Sequence, residues 1–114
     1  MSIFRDREQA AEHEFEHDQE LAFKIAARRN KLLSQWAANH MGLSGEAAQR
    51  YARELVETHV ADHDETSIVG SVIADLIAHG MPIPEEDIRS RLAEFARKAR
   101  ADVLRDGKAP SKAI

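Results

Sequence analysis

Apolar residues along this chain recur at intervals of three and four, and no stretch alternates at two. That period commits most of the chain to amphipathic α-helices and removes strands from the choices. Leu21, Ile25, Leu32, Trp36 and Leu43 fall within roughly 60° of one another at 100° per residue. They predict a long first helix ending near Gly42. Ser44 is placed to N-cap a second helix, with Glu46 in its first turn. Its stripe is Ala48, Tyr51, Ala52, Leu55, Val56 and His59. The run DHDET breaks the pattern. Ile68, Val69, Val72, Ile73, Leu76 and Ile77 then mark a third helix, with Gly80 at its C′ position. Pro84 opens a fourth, followed by Glu85, Glu86 and Asp87, which suit the helix dipole. Its stripe is Ile88, Leu92, Phe95, Ala96, Ala99 and Val103, and Gly107 is expected to end it. The last residues, KAPSKAI, have no pattern and are expected to be a flexible tail. Trp36 and Tyr51 fit core positions.

The links at 41–45, 60–65 and 80–84 are short, so neighbouring helices are expected to run antiparallel. The expected fold is all-α, a small antiparallel four-helix bundle with a poorly ordered or frayed N-terminal segment. The bundle covers 21–107, the N-terminal segment 1–20 and the tail 108–114. Gly70 sits inside the third helix at a cost of roughly 1 kcal/mol against alanine. It either admits a close neighbour or marks a weak spot, and the second is expected.

Charge separates the first 20 residues from the rest. Arg5 and Arg7 stand against seven acidic residues there, a net of −5, while the whole chain of 114 residues carries −4. An acidic head on a nearly neutral body argues against nucleic acid and for a protein partner. The chain has no cysteine, which excludes disulfides and thiolate metal sites and fits a reducing cytoplasm. No apolar run is long enough for a membrane span and the N-terminus does not read as a leader, so a soluble protein with no membrane insertion is expected.

Within the head, Glu8, Glu12, Glu16 and Glu20 follow one another at i,i+4. Each such like-charge pair destabilises a helix by roughly 0.2–0.5 kcal/mol. A lone helix of this length is already marginal in water. The segment is therefore expected to be largely unfolded when free and to become helical on a partner that neutralises the ladder and buries Phe4 and Phe15.

The run HEFEH, from His13 to His17, matches the spacing with which zinc peptidases hold their metal. A catalytic zinc also needs a third ligand and a packed pocket. The histidines lie where packing is poorest, so no catalytic residue, metal or cofactor is assigned and the chain is not read as an enzyme. His13 and His17 are instead candidate pH sensors, each one turn from a glutamate. Their protonation near pH ~6.5 would offset part of the ladder's repulsion. Circular dichroism on a peptide of the segment checks this, and a flat signal between about pH 8 and 5 would remove the idea. Lys24, Arg28 and Lys31 share one face of the first helix, within roughly 60°. They suit a phosphate or an acidic surface, though no glycine-rich loop accompanies them.

The run from Phe4 to Ala38 resembles the signature of the zeta-type inhibitor subunit of bacterial F-type ATP synthases. Its matching elements are Phe4, Asp6-Arg7-Glu8, Glu12, Phe15, His17-Asp18, Glu20-Leu21, Phe23-Lys24, the block from Ala27 to Leu33, and Trp36-Ala37-Ala38. Weaker matches follow at Tyr51-Ala52, Asp64-Glu65, Asp75-Leu76, Gly80 and Ile88-Arg89, so the resemblance covers about 4–105. It implies a four-helix bundle that stops the synthase from running backwards as an ATPase. The N-terminal segment would enter a catalytic alpha/beta interface of the synthase head beside the central stalk, fold into a helix and block rotation. Phe4, Arg5, Arg7, Glu8, Glu12 and Phe15 would be the contacts. The partners implied are the alpha, beta and central-stalk subunits. The location implied is cytoplasmic, peripheral to the inner membrane, and the free protein would be a monomer. The resemblance also implies weak ATP or ADP binding, with Lys24, Arg28 and Lys31 as the candidate residues. Two positions depart from the family's pattern: Ala11, where an aromatic is frequent, and Glu14, where a basic residue is frequent. They leave open a weakly inhibitory or non-inhibitory variant that acts as a nucleotide-sensing bundle.

Overall fold

The structure, a computed structural model, describes residues 2–59 and 65–108, with side chains from 17–59 and 65–106. Four helices account for nearly all of them: α1 Ser2–His40, α2 Gly45–Thr58, α3 Glu65–Ala78 and α4 Glu85–Lys108. There is no strand among the described residues. The protein is a small all-α four-helix bundle. Of the expected link at 60–65 and tail at 108–114, Glu65 opens α3 and Lys108 closes α4, and the other residues lie outside the described ones.

Two links are closed by the same device. Gly42 adopts φ 79° and Gly80 φ 73°, left-handed values that a side chain resists. Leu43 N–H then donates to Ala38 O at 2.9 Å and Gly42 N–H to Asn39 O at 3.1 Å. Met81 N–H donates to Leu76 O at 2.9 Å and Gly80 N–H to Ile77 O at 3.0 Å. Both pairs are Schellman closures, which satisfy carbonyls that a helix end would otherwise strand. Ser44 precedes α2 in extended backbone, but its side chain makes no capping bond. Pro84 O accepts from Asp87 and Ile88 N–H, so this proline sits one residue before the helix rather than inside it. Gly107 does not end α4, which runs to Lys108.

The head and the first bundle helix form one uninterrupted helix of 39 residues. At 1.5 Å per residue it is about 58 Å long, and it sets the 65 Å long axis of the molecule. α1 packs against each of the other three helices. Trp36 and His40 share a groove with Ile83 and Arg91, while Arg28 meets Asp102, so α4 runs antiparallel to α1. Tyr51 meets Asp75 and His59 meets Ser71, so α2 and α3 are antiparallel as well.

The core is Leu33, Ala37, Met41, Leu55, Ile68, Val69, Val72, Leu76, Ile88 and Leu92. The α2 and α4 stripes match it. Trp36 and Tyr51 are half-buried and pack against it, as expected. On α1 and the turn after it the buried positions are Asn30, Leu33, Ser34, Ala37, Ala38 and Met41, whereas Leu21, Ile25, Leu32, Trp36 and Leu43 are half-buried. Leu33, Ala37 and Met41 centre roughly 130° from the large-residue stripe at 100° per residue. A helix with neighbours on more than one side buries more than one stripe. Ile77 departs the other way: it is 59% exposed.

Gly70 is exposed, and a Cβ built there meets nothing within 4 Å. No neighbour needs the glycine, so its role as a weak spot stands. Gly70→Ala is expected to stabilise the bundle by about 0.5–1 kcal/mol. Thermal unfolding should show a rise of roughly 2–6 °C, and an unchanged or lower midpoint would contradict this.

Candidate functional site

The proposed contact residues Phe4, Arg5, Arg7, Glu8, Glu12 and Phe15 occupy the first half of α1. Phe4 and Phe15 are eleven positions apart, about 16 Å along a helix at 1.5 Å per residue. The side chains of these six, and of His13 and Glu14, lie outside the described residues. His17 is described and exposed. Among the described residues no group of three His, Cys, Asp or Glu side chains is placed to hold a metal.

Three of the cations of α1 are brought together. Lys24, Arg28 and Lys31 line one groove of about 570 Å³ with His17, Leu21 and Ala27, closed by Val56 from α2 and by Val103 and Asp106 from α4. Lys24 pairs with Glu20 at 3.3 Å on the surface, an i,i+4 contact worth a few tenths of a kcal/mol. Lys31 is exposed. Trp36 lies in a different groove, with His40, Ile83, Pro84, Asp87 and Arg91. Its indole meets the His40 ring edge-on at 4.7 Å. Tyr51 lies in a third, between α2 and α3. Trp36 and Tyr51 are thus held apart from the three cations.

Arg28 does more than face solvent. Its Nε and Nη2 both donate to Asp102 Oδ2, at 3.4 and 3.3 Å, across 74 positions of sequence. Arg105 Nη2 donates to Oδ1 at 3.0 Å, and Lys98 Nζ stands 3.8 Å from Oδ2. Asp102 is 5% exposed, covered by the cationic side chains around it. Burial alone would raise its pKa. The charge of Lys98, the Arg28 hydrogen bond and the charge of Arg105 together outweigh that and hold the carboxyl below the usual aspartate range. Sequence periodicity missed this residue, because an aspartate flanking Val103 reads as solvated. The available signal was its helical register: it lies three positions after Ala99, on the buried side.

A depressed carboxylate pKa contributes stability that is present above the unfolded value, near 3.9, and is lost as pH falls through the folded one. Asp102→Asn is therefore expected to be less stable than the parent at pH 7 and to lose less on acidification below about pH 4. Urea midpoints measured from pH 7 to 3 check this, and parallel curves for the two proteins would refute it.

On the opposite side, Tyr51 Oη donates to Asp75 Oδ2 at 2.8 Å, and burial with that bond pushes the phenol pKa up. His59 Nε2 and Ser71 Oγ are 3.1 Å apart. Arg29 Nη1 meets Glu65 at 3.1 Å, tying the start of α3 to α1. Ser34 Oγ donates to Asn30 O at 2.7 Å. Every buried side-chain N or O among the described residues has a partner. The Tyr51, His59 and Arg29 contacts hold neighbouring helices together, and the Ser34 bond closes within α1.

Among the described residues no helix is long and apolar enough to cross a membrane. Neither a curated protein nor a solved structure matches the chain. A family model described as ATPase inhibitor subunit zeta matches residues 1–102, which takes in the head, the basic face of α1, α2, α3 and most of α4. The chain belongs to the ATPase inhibitor subunit zeta family.

Proposed function

We propose that this protein is a regulatory subunit, not a catalyst, that restrains ATP hydrolysis by an F-type ATP synthase. Its N-terminal helix inserts at a catalytic alpha/beta interface of the synthase head, beside the central stalk. Phe4 and Phe15 anchor it, and Arg5, Arg7, Glu8 and Glu12 make the polar contacts. The observation that carries this reading is the family match from residue 1, which includes the acidic head as well as the bundle. The helical backbone of α1 from Ser2 onward supports it, because the head is already in register with the first bundle helix. The site of action is the cytoplasmic face of the inner membrane, reached through the synthase. The protein is a monomer when free.

The test is ATP hydrolysis by the synthase head with the full chain and with a chain lacking residues 1–20. Inhibition by the first and not the second supports the proposal. Equal rates would sink it.

A second reading keeps the bundle and discards the insertion: a weakly inhibitory variant that senses ATP or ADP. Ala11 and Glu14 favour it, together with the gathering of Lys24, Arg28 and Lys31 in one groove. Titration of ATP and ADP into the full chain separates the two readings.

A further inference from the structure

The groove between α1, α2 and α4 has two chemically distinct parts. Its floor is aliphatic: Leu21 and Ala27 from α1, Val56 from α2 and Val103 from α4. Its rim is cationic: Lys24, Arg28 and Lys31 stand against a single lining carboxylate, Asp106. Among the described residues its one lining ring is the His17 imidazole, at the N-terminal end of the groove.

We infer that this groove binds a free aliphatic carboxylate, with its charged end at the lysine rim and its chain over the valine and leucine floor. The lining favours an anion, because Lys24, Arg28 and Lys31 stand against Asp106, and Lys31 is exposed while Lys24 is shared with Glu20 and Arg28 with Asp102. The floor suits a flexible aliphatic body, because Leu21, Ala27, Val56 and Val103 offer apolar contact. A carboxylate is ionised at neutral pH and can accept from the ammonium of Lys31, or from that of Lys24 in competition with Glu20 at 3.3 Å. Arg28 is already shared with Asp102 at 3.3 Å, so it holds the rim in place while the lysines make the contact. The groove's volume, about 570 Å³, lies within the range of small-molecule sites. It follows α1 from His17 to Lys31, about 21 Å at 1.5 Å per residue. This assignment does not depend on inhibition of the synthase.

The experiment uses the full chain without the synthase, so its failure and that of the inhibitor proposal are distinguishable. Octanoate, decanoate and dodecanoate are titrated below their micelle concentrations, with decylammonium and ATP as comparisons. Binding is followed by calorimetry and by the methyl resonances of Leu21, Val56 and Val103. The expected result is saturable binding of the carboxylates that shifts these methyls. Affinity should rise about twofold per added methylene, since an open groove covers the chain on one side only. The double variant Lys24→Glu, Lys31→Glu alters two exposed side chains and is expected to weaken decanoate at least tenfold, with the unfolding midpoint lowered only slightly by the new repulsion between Glu20 and the glutamate introduced at position 24. Equal binding of decylammonium would show a detergent effect and overturn the inference. So would methyl shifts from ATP at lower concentration than from decanoate, or no shifts from any carboxylate. Co-sedimentation with phosphatidylglycerol vesicles without a decanoate response would assign the face to a bilayer and overturn it as well.

Discussion

Removing residues 1–20 should abolish inhibition of the synthase head while leaving the bundle folded. The described core residues all lie between Leu33 and Leu92. Deleting the head takes away none of them, so the midpoint of unfolding should move little. Within the head, the two aromatics carry most of the expected affinity, because a few anchored aromatics dominate interfaces of this kind. Phe15→Ala should weaken inhibition by about 2–4 kcal/mol, roughly 30- to 1000-fold in the half-inhibitory concentration. Ala11→Phe, which restores the aromatic frequent in the family, should strengthen it by about tenfold. The polar partners should behave differently: Glu12→Gln should alter the salt dependence more than the affinity at high salt. Phe15→Ala without effect would place the contact elsewhere, even if truncation still abolished inhibition.

Leu33→Ala is expected to give the largest loss of stability in the chain. Leu33 is fully buried on α1, the helix that touches all three others. Truncating it removes apolar contact and leaves a cavity that three helices cannot close at once. The cost should be about 3 kcal/mol, within the usual range for such substitutions. That is a large fraction of the 5–15 kcal/mol that holds a domain of this size. Thermal unfolding should fall by roughly 10–20 °C. The same substitution at Ile77, which is 59% exposed, should cost well under 1 kcal/mol. Equal losses at the two positions would show that burial does not decide the effect. The comparison matters because the periodic pattern treats Ile77 as core and does not select Leu33.

The carboxylate groove and the inhibitory head share α1. The groove begins at His17 and the head ends a few residues away, on the same continuous helix. The two remain separate claims, because ligand binding is read on the free chain and inhibition on the synthase.

Periodicity at three and four was enough to establish four helices, their order and their antiparallel links. Gly42 and Gly80 were readable as closures because each follows the last apolar residue of a helix, where only a left-handed residue completes the turn. The α2 and α4 stripes were readable because those helices bury one side. Lys24, Arg28 and Lys31 were readable as one face because they lie within a single stretch of helix. The run from Ala27 to Ala38 pointed to the family for the same local reason.

What local pattern could not supply was everything that depends on which helix lies beside which. Ala37, Ala38 and Ser34 are buried on α1 only because α1 has neighbours on several sides. Small or polar residues carry no hydrophobic signal of that kind. Asp102 became the counterion of Arg28 across 74 positions, and Val56 and Val103 became the floor beneath the cations. Trp36 and the lysines were parted into different grooves. A helix's own period fixes which residues share a side, but only the packing of four helices fixes what each side faces.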